Sequence, residues 1–338
     1  MPWDGALPDR LDLARLQTPI VPLPRLSQRL GGPALWVKRD DQTGATESGN
    51  KIRKLQYTVA EAQRDGVDTL ITCGGLQSNH ARTTVVVARR LGLDVELFLR
   101  GESPPRAEGN LLLDAVLGAR IHMVSVDAYG NKDAMMDARA DELRAQGRRP
   151  LVVAEGCSMP SGCWGYIEAM QEVVQAQATL GVTFDAIVSG VGSGGTAAGI
   201  ELGARLFNFS GDVVGVPVCD SEAFFREKIG RLCAETIERY GLPVTVPPED
   251  IGLLGGYIGG GYGVSAPHER DTLVDLARTE GIVLEPVYSG KAFHALVSEL
   301  DGRFAGMKNV LFLHTGGVFG LAAYADALPG PDVSSTHA

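Results

Sequence analysis

Short apolar runs rich in branched residues alternate with amphipathic stretches along nearly the whole chain. "ALWVKRD" leads into "KIRKLQYTVAEAQRDG", and "TLITCGG" leads into "SNHARTTVVVARRLG". "DVELFLRG", "RIHMVSV" and "PLVVAEG" are likewise each followed by a stretch of helical period, and so is "DAIVSGVGSGG". "DVVGVPV" and "NVLFLHTGG" complete the series of predicted strands. Continuous apolar runs joined by helices mark parallel strands buried on both faces. The fold class is therefore α/β, with open parallel twisted sheets and flanking helices.

Three of these strands end in clusters of small residues: "CGGLQSNH" at 73–80, "SGVGSGGTAAG" at 189–199 and "HTGG" at 314–317. Ligands of open parallel sheets sit beyond the carboxyl ends of the strands. Glycine lets backbone N–H groups converge on an anion there, and the following helix adds its positive end. Gly192, Ser193, Gly194, Gly195 and Thr196 make the best phosphate cup, with two hydroxyls among them. The same loop satisfies G-x-G-x-x-G from Gly190 to Gly195, and the next strand leads to Asp220. That is the context of a dinucleotide site, with Asp220 on the ribose. A nicotinamide-dependent oxidoreductase is the reading it carries, although it leaves "QSNH", "HTGG" and Lys51 without a role.

"ESGNKIRKLQY", 47–57, places Lys51, Arg53 and Lys54 in the first turn and a half of a predicted helix. Taken alone, the stretch suggests Asn50 as the cap and a basic outer face. Cations at a helix N-terminus oppose its dipole, at a local cost of a few tenths of a kcal/mol.

The chain has 338 residues, 44% hydrophobic and 21% charged, with a formal net charge of −10. The length suits two lobes sharing a cleft. The acidic balance argues against a nucleic-acid partner and leaves room for a local anion site. "MPWDGALPDR" has no signal-peptide character, and no apolar run is long enough to span a bilayer. The five cysteines are odd in number, scattered and without a C-x-x-C pair. Reduced thiols in a cytoplasmic protein without a metal site are the expectation.

Together, "SGNKIRKLQY", "GGLQSNH", "YGV" after a glycine run, "EPVYSGK" and "HTGG" carry a resemblance that runs from about Thr18 to Gly320. The chain resembles the pyridoxal-phosphate enzymes of the tryptophan-synthase-β type (fold type II). Within these it is similar to the branch of 1-aminocyclopropane-1-carboxylate deaminase and D-cysteine desulfhydrase. The resemblance implies a cofactor held in the cleft between a larger lobe, residues 1–48 with 156–338, and a smaller one, residues 49–155. It makes Lys51 the lysine that bonds the cofactor aldehyde, a task for a deprotonated amine, which the neighbouring Arg53 and Lys54 favour. Asn79 is expected on the cofactor's 3-oxygen and Gly192–Thr196 on its phosphate. Ser78, Asn79 and His80 are expected at the substrate carboxylate through amides and hydroxyl, with Ser78 also a proton relay. Tyr262 and Tyr288 match the two site tyrosines that steer the substrate amine or the leaving group. A homodimer acting on a small amino acid is expected by the same analogy.

Two positions separate activities within the branch. Where the deaminase pattern has a glutamate after the tyrosine of "PVY" and a leucine in "H-x-G-G", this chain has Ser289 and Thr315. The resemblance sets the first of these against the pyridine nitrogen, where a hydroxyl favours a neutral ring. β-Elimination is then expected over cyclopropane opening, with D-cysteine giving pyruvate, ammonia and hydrogen sulfide. An L-cysteate sulfo-lyase runs the same elimination, with Arg106, Arg82 and His80 as candidate sulfonate partners. A silent cofactor carrier on the same fold is a further alternative.

Overall fold

The computed structural model describes Trp3 and residues 5–330. Its strands form two sheets. The first joins β1 (Ile20–Pro22), β2 (Ala34–Arg39), β7 (Ala186–Val191), β8 (Asp212–Pro217) and β9 (Asn309–His314) in the order β1-β2-β9-β7-β8. The second joins β3 (Thr69–Gly75), β4 (Asp94–Arg100), β5 (Arg120–Val124) and β6 (Pro150–Val152) in the order β5-β4-β3-β6. Every pairing is parallel except β1 with β2 at one edge. The α/β class with two helix-flanked parallel sheets is thus as expected.

Side chains alternate across a strand, so consecutive residues feed opposite cores. Leu311 and Leu313 pack on the face that carries Trp164 and Ile167, while Phe312 between them packs with Phe293 on the other. The four-stranded sheet has its own pair of cores, one around Leu70, Val85 and Leu97 and one around Ile71, Phe98 and Met136. The helix Asn50–Arg64 touches both halves: Ile52, Leu55 and Val59 join the core of the smaller sheet, and Tyr57 packs near Trp164.

This helix departs from its sequence pattern in two respects. Its cap is Gly49, at φ 114°, and Asn50 is its first residue. Arg53 and Lys54 do not form an outer basic face; both are 0% exposed. The reason is tertiary. Arg53 grips Asp40, at the end of β2, through Nε (2.8 Å) and Nη2 (2.9 Å), and Glu172 of the helix Pro160–Leu180 through Nη1 (2.7 Å). Thr18 and Tyr166 hydroxyls donate to Asp40 at 2.6 and 2.7 Å, and Lys38 reaches Glu172 at 2.6 Å. Burial alone would raise the Asp40 and Glu172 pKa values, but Arg53 and Lys38 outweigh it and hold both carboxyls below their ordinary range.

All five cysteines are free thiols, and no helix among the described residues is long and apolar enough to cross a membrane. Arg53→Met should lower the unfolding free energy by about 3–5 kcal/mol in urea titrations, because it leaves two buried carboxylates to share the single charge of Lys38. A loss below about 1 kcal/mol would show that water or neighbouring cations replace it. Because both carboxyl pKa values are depressed, the stability they contribute is present above about pH 4 and should fall away as the pH drops further.

Candidate active site

A cavity of about 340 Å³ opens where the carboxyl ends of β3, β4, β7 and β9 converge. The first turn of the helix Asn50–Arg64 brings Lys51 to its wall. The Lys51 amine makes no hydrogen bond to another group among the described residues. Burial, followed by the nearby Lys54 charge, holds its pKa well below the ordinary lysine value. It is therefore a poor ammonium and a good neutral amine.

The backbone around Lys51 is fixed by close contact with the turn after β9. Asn50 N–H donates to Thr315 O at 2.9 Å. Gly49 and Gly316 face each other so closely that a methyl on Gly316 would lie 2.7 Å from Gly49 Cα. The Asn50 side chain donates to Thr196 Oγ1 at 3.0 Å, which ties the same helix to the glycine loop after β7.

That loop has the form of an anion cradle. The helix Gly195–Leu206 starts at Gly194, φ 92°, with no side chain capping it. The positive end of the helix dipole thus lies at the cavity. Gly192, Ser193, Gly194 and Thr196 line the cavity. Gly195 does not: its N–H donates to Ser158 Oγ at 3.1 Å, and a methyl there would lie 3.1 Å from Lys54 Nζ. Lys54, which bonds Gly156 O, and Lys228, on the wall beside Gly194, place positive charge around the cradle.

Across the cavity, Ser78 caps the helix Asn79–Arg90, accepting the Ala81 N–H at 3.1 Å. Asn79 Oδ1 accepts from Asn110 at 2.9 Å, so the amide's N–H₂ is the group left over. The His80 ring turns away from the cavity. Thr72 donates to Val153 O at 2.8 Å and so accepts from His80 Nε2 at 2.7 Å, which leaves Nδ1 a buried acceptor without a partner. Burial, then Lys51 and Lys54, keep the ring neutral. Any carboxylate contact at this position falls to the backbone amide.

Tyr262 and Tyr288 both line the cavity, their hydroxyls 2.5 Å apart. Burial pushes the Tyr262 pKa up to about 12 and that of Tyr288 further, so both are neutral phenols. Thr315 is on the wall, while Ser289 is buried behind it. Ser289 Oγ donates to Glu285 Oε1 at 3.0 Å, and the same carboxylate accepts the N–H groups of Val287, Tyr288 and Ser289 at 2.6, 2.8 and 2.6 Å. Burial raises the Glu285 pKa.

Of the three proposed sulfonate partners, only His80 lines the cavity, and not with its ring, which is bonded to Thr72. Arg106 has a side chain 86% exposed, and Arg82 is buried against Asn110 and the Ser48 carbonyl. Sequence reasoning missed Arg100, Tyr129, Lys132 and Glu155, which complete the wall on the four-stranded side. Arg100 closes β4 at the register of Gly75, a strand-end position that its sequence pattern already marked.

A partnerless amine beside an uncapped, glycine-lined helix start is the donor set that a phosphate-bearing aldehyde requires. The chain belongs to the pyridoxal-phosphate dependent enzyme family, which it matches over residues 11–316. Its cofactor is pyridoxal phosphate, as the family match implies. Within the family it falls in the branch of 1-aminocyclopropane-1-carboxylate deaminase and D-cysteine desulfhydrase. It is 42% identical to a putative 1-aminocyclopropane-1-carboxylate deaminase of Thermotoga maritima, over 94% of this chain and 99% of that one. It is 39% identical to a D-cysteine desulfhydrase of Salmonella typhi, over 93% and 96%. The bifunctional D-cysteine desulfhydrase/1-aminocyclopropane-1-carboxylate deaminase of Arabidopsis thaliana is 37% identical, over 94% and 80%. The crystal structure of an ACC deaminase homologue superposes with a TM-score of 0.83 at 36% identity, covering 96% of this chain and 95% of that one.

A methyl on Gly192 would come within 2.6 Å of the Tyr288 ring. Gly192→Ala should therefore weaken cofactor binding at least about tenfold in absorbance titrations of the apoprotein, since a displaced ring must shift the loop. Unchanged affinity would place the cofactor's phosphate elsewhere.

Proposed function

We propose that the protein is a β-elimination lyase that acts on a small amino acid with sulfur on its β-carbon, D-cysteine foremost. Water and D-cysteine give pyruvate, ammonia and hydrogen sulfide. The observation that carries the choice is the pair of hydroxyls, Ser289 and Thr315, where the deaminase pattern has Glu and Leu.

Lys51 holds the cofactor, and Gly192, Ser193, Gly194 and Thr196, with Lys54 and Lys228 beside them, hold its phosphate. Gly195 supports the loop from behind through Ser158. Asn79 offers its N–H₂ to the cofactor's oxygen. When bound, pyridoxal phosphate supplies an electron sink for the carbanion left by loss of the α-proton. Ser78, Asn79 and His80 present helix N-terminal amides and one hydroxyl to the substrate carboxylate. The Lys51 amine, kept neutral by burial, takes the α-proton, with Ser78 as relay. Tyr262 and Tyr288, kept protonated by burial, steer the substrate amine and hand a proton to the departing sulfur.

A second reading, opening of 1-aminocyclopropane-1-carboxylate, draws support from Glu285. Its carboxylate takes the Ser289 hydroxyl hydrogen, so Ser289 would offer a lone pair, and favour a protonated ring, were the cofactor's nitrogen to lie against it. A panel of D-cysteine, L-cysteine, L-cysteate, β-chloro-D-alanine and 1-aminocyclopropane-1-carboxylate separates the two. D-cysteine should be turned over fastest, with pyruvate and sulfide appearing together; ring opening as the fastest reaction would reverse the assignment.

Lys51→Ala should remove the visible absorbance of the bound cofactor, and a wild-type band would exclude Lys51 as its attachment point. Because the Lys51 pKa is depressed, the neutral amine persists as pH falls below the ordinary lysine value. Capture of pyridoxal phosphate by the apoprotein should slow much less than tenfold between about pH 9 and about pH 8. An ordinary amine would lose nearly tenfold over that unit, and such a loss would show Lys51 to be unperturbed.

A further inference from the structure

Three cationic side chains besides Lys51 line the cavity: Lys132, Lys228 and Arg100. Lys132 is paired with Asp133 at 3.6 Å and Glu155 at 3.8 Å. Lys228 stands by Gly194 at the cradle, where a phosphate would be its counterion. Arg100 has no such partner. Its guanidinium forms no ion pair and no hydrogen bond with any group among the described residues. It lies over two aromatic rings instead, 4.8 Å from the centroid of Tyr262 and 5.3 Å from that of Tyr129.

A guanidinium lying over two rings is oriented and partly stripped of water, yet its planar edge of N–H donors stays unused. Such an edge binds carboxylate or sulfur oxyanions in a bidentate fashion. Glu155, an acid in the cavity lining, is occupied by the Tyr129 hydroxyl at 2.9 Å and by Lys132. The position of Arg100 is also informative. It pairs in register with Gly75, just before the Ser78 helix start, and the ring it contacts belongs to Tyr262, whose hydroxyl meets Tyr288. The cradle provides for the cofactor's phosphate, and the Ser78–His80 amides for the α-carboxylate. Arg100 is a third anion-binding position, against Tyr262, the residue that the proposed function sets at the departing sulfur.

We infer that Arg100 forms an anion subsite for the β-substituent, so that the protein binds amino acids bearing a β-sulfinate, β-sulfonate or β-carboxylate more tightly than their uncharged counterparts. The inference rests on the β-elimination reading for the way the substrate lies.

The test compares D- and L-aspartate with D- and L-alanine, which differ by one anionic group and carry no good leaving group. Binding to the holoenzyme is followed through the cofactor's absorbance. Aspartate of the preferred configuration should bind at least about tenfold tighter than the matching alanine, Arg100→Met should erase that ratio with alanine changed less than about twofold, and Arg100→Lys should retain part of it. Equal affinity for aspartate and alanine in the unaltered protein would overturn the inference. So would an Arg100→Met variant that weakens both alike, since Arg100 would then serve the α-carboxylate or the fold. β-Chloro-D-alanine turnover by the same preparation reports separately on elimination. Its absence would remove that reading, while the aspartate-to-alanine ratio would still decide the role of Arg100.

Discussion

The site depends first on the buried charge cluster around Arg53. One guanidinium joins the end of β2 through Asp40 to the long helix Pro160–Leu180 through Glu172, from inside the helix that carries Lys51. Replacing such a cluster with apolar residues often costs nothing in stability, so its value here lies in geometry. Five donors on a rigid plane accept few rotations of the helix. With Arg53 fixed, helical spacing delivers Lys51 to the cavity, and Lys54, one residue beyond Arg53, to the Gly156 carbonyl beneath the glycine loop.

That arrangement also sets the electrostatics. Lys51 is an amine in a place that disfavours ammonium, His80 is a neutral acceptor, and the two tyrosines are neutral phenols. Burial is the largest cause in each case. Lys51 and the two tyrosines thus supply a proton acceptor and donors without formal charge. The unpaired cations at the wall are Lys228, beside the glycine loop, and Arg100, against the Tyr262 ring. Proton transfer and anion binding thus fall to different side chains of one cavity.

Much of this was legible in the chain. Branched apolar runs such as "TLITCGG" and "NVLFLHTGG" could only be buried parallel strands, and their glycine ends marked where a ligand sits. Lys51, Ser78, Asn79, Tyr262 and Tyr288 do meet around one cavity. What the pattern hid was the destination of charge. Arg53, Lys54 and Arg82 look like solvated helix positions because their partners (Asp40, Glu172, Gly156, Asn110) are distant in sequence. Glu285 was in plain view within "EPVYSGK", yet only the folded turn shows its carboxylate gathering three amides and the Ser289 hydroxyl. Arg100 was passed over because a charged residue closing a strand is ordinary until two aromatic rings are found against it.

The contact between Gly49 and Gly316 reaches beyond local packing. Each has a positive φ; a methyl on Gly316 would meet Gly49 Cα at 2.7 Å, and one on Gly49 would meet the Thr315 carbonyl oxygen at 2.8 Å. The two positions therefore behave as a single locked character in any lineage or library built on this scaffold. A change at one cannot be rescued by a change at the other, because there is no side chain left to shrink. Pocket walls such as Tyr129 or Lys132 can drift toward new substrates, while this seam holds the lysine-bearing helix at a constant distance from the turn after β9. Diversity in chemistry is possible on such a fold because a few backbone atoms have no alternatives.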